Sequence, residues 1–283
     1  ALVWMSNGAQ VPVDAARRPA IPILMTLGAL SGGADVFDPA RKDILLTEDK
    51  LTRPITILAK ANGASETLAV LSYNGCGNLA AARLLASMIA DMRHDAKIVI
   101  HRDRDFRTDA EMRFELATAS AERDRNGTQR VLEVFTALND VEHSFAQTDH
   151  LKGVFARVLA PEIIDGAVGD VIALRRDDLV HAARVARAQV QSTLYDSPRK
   201  RAKPEWSASG MPDQVPNVAS FLPANGLIPV AFEHCHGKKL MDGLRPALHH
   251  HVRGATQSME NMIYSVSDHL QAEAWLAAFA PPT

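Results

Sequence analysis

Only two cysteines, Cys76 and Cys235, occur in 283 residues. That is too few for a disulfide framework, and a reducing cytoplasm is the simplest setting. No apolar run approaches the ~18 residues needed to span a bilayer, which argues against a membrane protein. A net charge of −2 gives no global attraction to nucleic acid, so any such contact needs a local basic patch. No G-x-x-x-x-G-K-[ST] phosphate loop occurs, which excludes a complete P-loop nucleotide site. Internal repeats and low-complexity tracts are missing too. The first thirty residues carry no basic-then-apolar leader. The chain opens at Ala1 without a methionine, as a segment of a longer protein or a processed one would.

What is present is ordinary globular composition, 47% hydrophobic and 23% charged, over a length sufficient for one large domain or two smaller ones. The most informative stretch is Ala96-Lys-Ile-Val-Ile-His-Arg-Asp-Arg-Asp-Phe106. Lys97–His101 is a short β-branched run that predicts a buried strand, and it empties into Asp103 and Asp105. Parallel α/β sheets bind ligands outside the carboxyl ends of their strands. Residues i and i+2 of an extended segment share a face, so both carboxylates can aim at one spot. Like charges held that close call for a cation, and hard oxygen ligands suit Mg²⁺ or Mn²⁺. The plainer alternative is a pair of solvated carboxylates salt-bridged to Arg102, Arg104 or Arg107.

An alternation surrounds this stretch. Asp43–Thr47 reads as a strand ending at Glu48, and Pro54–Ala61 as a helix with Asn62-Gly63 at its C-cap. Leu68–Tyr73 reads as a second strand closed by the turn Asn74-Gly-Cys-Gly-Asn78. Leu79–Met92 has apolar residues at three- and four-residue spacing and predicts an amphipathic helix. Asp109–Ala121 is a helix, and Val131–Leu138 a further strand leading to Glu142. Strand, helix, strand, helix, strand argues for a parallel sheet. Beyond it, Ser144–Leu159 and the long Glu162–Leu194 read as helical. The proline-rich 196–216, with Arg199-Lys-Arg-Ala-Lys203, reads as a surface loop. Leu227–Phe232 is a last strand candidate, followed by helices near 238–250 and 267–279.

Glu48 after the first strand, the glycine turn Asn74–Asn78 after the second, and Asp103-Arg-Asp105 after the third together resemble the TOPRIM fold of topoisomerases, bacterial primases and OLD-like (overcoming lysogenization defect) nucleases. Val141-Glu142-His-Ser-Phe145 and Gly237-Lys238 resemble later segments of the OLD-like branch. The resemblance covers roughly residues 42–150, and more loosely 216–270. It implies an α/β, TOPRIM-like, mostly parallel sheet with helices on both faces and a helical insertion. Its division would be an N-terminal arm or remnant of a preceding domain (1–41), a TOPRIM core (42–157), a helical insertion and linker (158–215) and a C-terminal closing segment (216–283). One departure concerns the branch's Glu-Gly-x-x-Asp motif, which here reads Glu48-Asp-Lys-Leu-Thr52. It puts a second metal site in doubt.

The resemblance implies a Mg²⁺- or Mn²⁺-dependent nuclease of DNA or RNA, the effector of an ATPase-linked defence or repair system. Glu48, Asp103, Asp105 and Lys238 would be catalytic; Glu48, Asp103, Asp105 and Glu142 would hold the metal. A nucleic acid substrate, an ATPase partner or fused ATPase domain, and a homo-oligomer are the implied associations. Two alternatives stay open. A haloacid-dehalogenase-type phosphatase would use Asp103 as nucleophile, although Arg107 stands where that family prefers Thr or Val. A catalytically silent TOPRIM module for assembly is kept alive by Thr52. Leu30-Ser-Gly-Gly and Ile44–Glu48 resemble the signature and Walker B segments of an ABC-type ATPase, but without the phosphate loop they make no complete site. Tyr73, Tyr195 and Tyr264 do not mark a topoisomerase nucleophile. Glu233-His-Cys-His236 offers zinc-type ligands too close together to share one ion, and His249–His251 reads as a polar helix end.

Overall fold

The molecule is described by a computed structural model covering residues 35–64, 66–126, 130–216, 235–252 and 258–270, with 4–6, 9–11, 20, 23–24, 27–28, 232 and 274–279. Four strands form one parallel sheet: β3 (Asp43–Thr47), β4 (Leu68–Ser72), β5 (Lys97–Arg102) and β6 (Val131–Phe135), in the order β4-β3-β5-β6. A separate antiparallel pair joins β1 (Trp4–Ser6) and β2 (Ala9–Val11). In the sheet, the central strands are buried along nearly their whole length, whereas β4 and β6 alternate buried with more exposed positions. Central parallel strands are covered on both faces and therefore read as continuous apolar runs. Ile44-Leu-Leu46 and Ile98-Val-Ile100 are such runs. Helices flank the sheet, so the α/β architecture and parallel pairing expected of residues 42–105 are present.

The connecting helices follow from local chemistry. α1 (Arg53–Ala61) has Pro54 in its first turn and stops before Gly63, whose φ of 81° few other residues adopt. α2 (Leu79–Met92) buries Ala82, Leu85, Ala86 and Ile89. These residues join Ile44, Leu46, Ile98, Ile100 and Val131 in one aliphatic core. α3 (Asp109–Asn126) links β5 to β6.

By internal contacts the chain forms two compact units. The first comprises Ala1–Arg102, Ala119–Phe135 and Glu273–Thr283, and holds every strand found among the described residues. The second comprises Asp103–Thr118 and Thr136–Ala272. Its helices include α4 (Val141–Phe145), α5 (Thr148–Phe155), α6 (Pro161–Leu174), α7 (Arg176–Val190) and α10 (Gly237–His251), with α8 (Pro198–Arg201) and α9 (Pro204–Ala208) between α7 and α10. One of its cores gathers Phe114, Val190, Leu194, Tyr195, Trp206 and Met211. There, Trp206 meets Phe114 and Tyr195 edge-on at centroid distances of 5.2 and 5.3 Å.

Several boundaries differ from the sequence expectation. β6 ends at Phe135 rather than 138. The helix expected over Ser144–Leu159 is two: α4 starts early because Asp140 caps it by accepting from the His143 N–H, and α5 follows. The long helix over Glu162–Leu194 breaks at Arg175 and restarts with Asp177 and Asp178 in the first turn, where the helix dipole favours acids. It ends in a π turn, Gln191–Tyr195. The expected loop 196–216 contains α8 and α9, each opened by a proline at its start, where the missing N–H costs nothing. Of the helix expected over 267–279, the described residues hold a turn and bend at 268–270 and a 3₁₀ segment, Ala274–Phe279. The strand candidate Leu227–Phe232, apart from Phe232, lies outside the described residues, as do most of Ile21–Leu30 and Ser31–Ala34.

Candidate functional site

In the first unit, register decides what meets at the carboxyl ends of the strands. Thr47 pairs with Ser72 on one side and His101 on the other. Glu48 leaves β3 at this edge; its backbone carbonyl accepts from the Gly75 N–H at 2.7 Å, and its Oε2 lies 3.5 Å from the Tyr73 hydroxyl. The Tyr73 hydroxyl also donates to the His101 carbonyl at 2.9 Å, which ties the ends of β3, β4 and β5 together. The glycine turn is required there: Asn74 and Gly75 both have positive φ, 59° and 95°.

Behind Glu48 lies a buried polar chain. Thr47 Oγ1 donates to Asp49 Oδ2 at 3.2 Å and sits 3.1 Å from His101 Nδ1. With its one hydrogen committed to Asp49, the hydroxyl accepts from the histidine, which places a hydrogen on Nδ1. Asp49 and His101 are 6% and 0% exposed, and one ligand-type atom of each lies within 4.8 Å of the other. The His101 ring stacks at 5.2 Å on Trp275. Thr52, standing where the OLD-like pattern has its second acid, is the N-cap residue of α1.

The second unit opens with Asp103. Lys238 Nζ lies 2.8 Å from Asp103 Oδ2 and 3.8 Å from Glu142 Oε2. Asp105 lies 3.7 Å from His236 Nε2 and 3.8 Å from Arg107, whose guanidinium is also 3.5 Å from Glu115. Asp105 and Phe106 hold left-handed φ values of 48° and 58°. Asn139 secures this bend: its carbonyl accepts from the Asp105 N–H and its side-chain oxygen from the Phe106 N–H, each at 3.0 Å. The Asn139 amide donates in turn to the Cys235 carbonyl at 2.8 Å, drawing residue 235 to the same place.

Asp140 is the hub. It is fully buried, and its Oδ1 accepts from the His143 N–H at 3.0 Å. Its Oδ2 lies 2.6 Å from His236 Nδ1 and accepts from the Lys238 N–H at 3.1 Å. Burial alone would push the Asp140 pKa up, but His236 and Lys238 hold it well below the carboxylate range. The same pairing works in reverse on His236: burial lowers its pKa, yet Asp140 and Asp105 raise it to about 10, so the ring is an imidazolium at neutral pH. Gly237 permits the approach. A Cβ there would fall 2.1 Å from Asp140 Oδ1 and 2.1 Å from the His143 nitrogen.

Of the expected residues, Asp103, Glu142 and Lys238 stand together in the second unit, with Asp105 joined through His236; Glu48 belongs to the first unit. Two members were not expected. Asp140 carries a readable signal, an aspartate immediately before a helix; His236, 96 residues further on in the chain, stands out only as part of the Glu233–His236 cluster, which says nothing of a pairing with Asp140. Four carboxylates, Asp103, Asp105, Asp140 and Glu142, thus face three cations, Lys238, His236 and Arg107. Asp140 is consumed by its partners. Asp103 and Glu142 flank Lys238, while Asp105 is engaged by His236 and Arg107; hard carboxylate oxygens of this kind are the donors a Mg²⁺-type ion takes. No family model, curated protein or solved structure gives a significant match to the chain.

Proposed function

We propose that the chain is a Mg²⁺- or Mn²⁺-dependent phosphodiesterase that cleaves nucleic acid. The observation that carries this reading is the Lys238 ammonium held 2.8 Å from the Asp103 carboxylate and 3.8 Å from that of Glu142. A lysine amid acidic ligands is what phosphoryl-transfer sites use to balance charge on a phosphate.

In this reading Glu48, Asp103, Asp105 and Glu142 would hold the metal, which would supply Lewis-acid polarisation of the phosphodiester. Lys238 offsets charge on the phosphate, and Glu48 doubles as the group that orients or deprotonates the attacking water. Tyr73 steadies Glu48. Asp140 and His236 position Lys238 and Asp105 without touching the substrate. An ATPase partner or fused ATPase domain and self-association are proposed with it. Among the described residues no helix is long and apolar enough to cross a membrane.

The Lys238–Asp103 contact equally suits the phosphatase alternative, where Asp103 would attack phosphorus and form a phosphoaspartate. The test is incubation of the purified chain with supercoiled plasmid and with RNA, with and without Mg²⁺ or Mn²⁺. Metal-dependent nicking supports the nuclease. A trapped phosphoaspartate at Asp103 replaces it with the phosphatase, and neither activity leaves the silent assembly module.

A further inference from the structure

A cavity of about 260 Å³ opens in the first unit, lined by residues of α2, β5, α3 and β6. Leu84, Ile100 and Val131 supply its apolar lining, and Arg83, Arg123 and Glu122 its charge. Its size approaches the few hundred Å³ typical of small-ligand sites, which pair an apolar lining with a few placed polar groups.

Glu133, whose side chain is completely buried on β6, is met by three guanidiniums. Arg83 forks onto it through Nε at 3.0 Å and Nη2 at 2.8 Å. Arg102 donates to the same Oε1 at 2.9 Å while lying 4.4 Å over the Phe135 ring. Arg123 comes third, with Nη1 at 3.9 Å, beyond hydrogen-bond reach. Burial lowers the pKa of Arg123; Glu133 opposes that effect and the nearby charge of Arg83 adds to it. Three guanidiniums thus share the Glu133 carboxylate, Asp124 adds an attraction to Arg123, and the two that line the cavity, Arg83 and Arg123, repel each other. Leu84, 55% exposed, leaves an apolar surface beside them.

We infer that this cavity binds a small amphipathic anion, a single carboxylate or phosphate head on an apolar body about the size of one ring. The head would lie against Arg123 and Arg83, where a planar guanidinium meets an oxyanion with two parallel hydrogen bonds. The body would cover Leu84, Ile100 and Val131. Glu122 on the wall selects against ligands of high negative charge. The inference uses none of the residues of the proposed nuclease site and stands or falls separately from it.

The experiment is isothermal titration of the purified chain with benzoate and with phenyl phosphate, which separate the two head groups. Inorganic phosphate and benzyl alcohol serve as charge-only and ring-only controls. At least one aromatic anion should saturate, and it should bind about tenfold or more tightly than either control. Arg123→Ala and Leu84→Glu should each weaken that binding about tenfold or more, with unchanged circular dichroism. Both positions are partly solvent-exposed, so the second variant keeps the test decisive should the first lose structure. The inference is overturned if neither aromatic anion saturates by ~10 mM. Inorganic phosphate binding as well as phenyl phosphate, or affinity unchanged in the folded variants, overturns it too.

Discussion

Lys238 Nζ lies 2.8 Å from Asp103 Oδ2, a contact between residues 135 apart in the sequence. The lysine is placed by its backbone as well as its charge, because its N–H donates to the buried Asp140. Lys238→Ala should retain Mn²⁺ binding, since the carboxylates remain, while slowing cleavage roughly 10²-fold or more. Titration calorimetry with Mn²⁺ alongside plasmid nicking separates the two effects. A wild-type cleavage rate in this variant would remove Lys238 from the mechanism.

Glu48 is half-buried, and its Oε2 lies 3.5 Å from the Tyr73 hydroxyl. Glu48→Gln keeps that geometry and removes only the charge. Nicking should fall to background, with the melting temperature within a few degrees of wild type, a change of ~1 kcal/mol or less. Full metal-dependent cleavage by the folded variant would sink the nuclease proposal.

Gly237→Ala tests whether backbone approach builds the Asp140 hub. The added Cβ would meet a backbone nitrogen and a buried carboxylate at 2.1 Å, and neither is the loose end of a flexible side chain. We expect a loss of about 3 kcal/mol in urea unfolding, at the upper end of overpacking costs. Gly169→Ala is the control. It lies within α6 with nothing inside 4 Å of the new Cβ, and should be neutral or stabilising by up to ~1 kcal/mol.

Glu111 predicts an acid sensitivity. Its buried carboxylate takes both arms of Arg187 at 2.6 and 2.8 Å, the Tyr195 hydroxyl at 2.8 Å and the Thr108 N–H at 2.8 Å. Burial opposes ionisation, but these partners outweigh it and lower its pKa. A depressed folded-state pKa contributes stability that is present above the unfolded value of about 4.5 and is lost as pH falls through the folded value. The urea midpoint should therefore decline on acidification from pH ~5 downward. Glu111→Gln should flatten that decline and cost ~3–5 kcal/mol at neutral pH, because Arg187 is left buried without its counter-charge. An equally steep acid decline in Glu111→Gln would refute the assignment.

Much of the sheet was legible from local pattern. Ile44-Leu-Leu46 and Ile98-Val-Ile100 are too apolar and too short for anything but central strands. Asn62-Gly63 and the Asn74-Gly75 turn announce where the chain must reverse. Helix ends in the second unit were less legible, because caps such as Asp140 and breaks such as Arg175 outweigh the general run of helix-forming residues.

The sequence by itself determined the strand-and-helix alternation and the placing of Glu48 and Asp103 just past strand ends, because hydrophobic period and turn chemistry are local properties. It also placed Glu142 and Gly237-Lys238 as separate motifs. Only the tertiary structure decided that Lys238 pairs with Asp103, that Asp140 and His236 hold them in place, and that three arginines crowd Glu133. Those pairings span 10 to 135 residues of chain and depend on backbone approaches such as that at Gly237, which no periodicity in a linear sequence encodes.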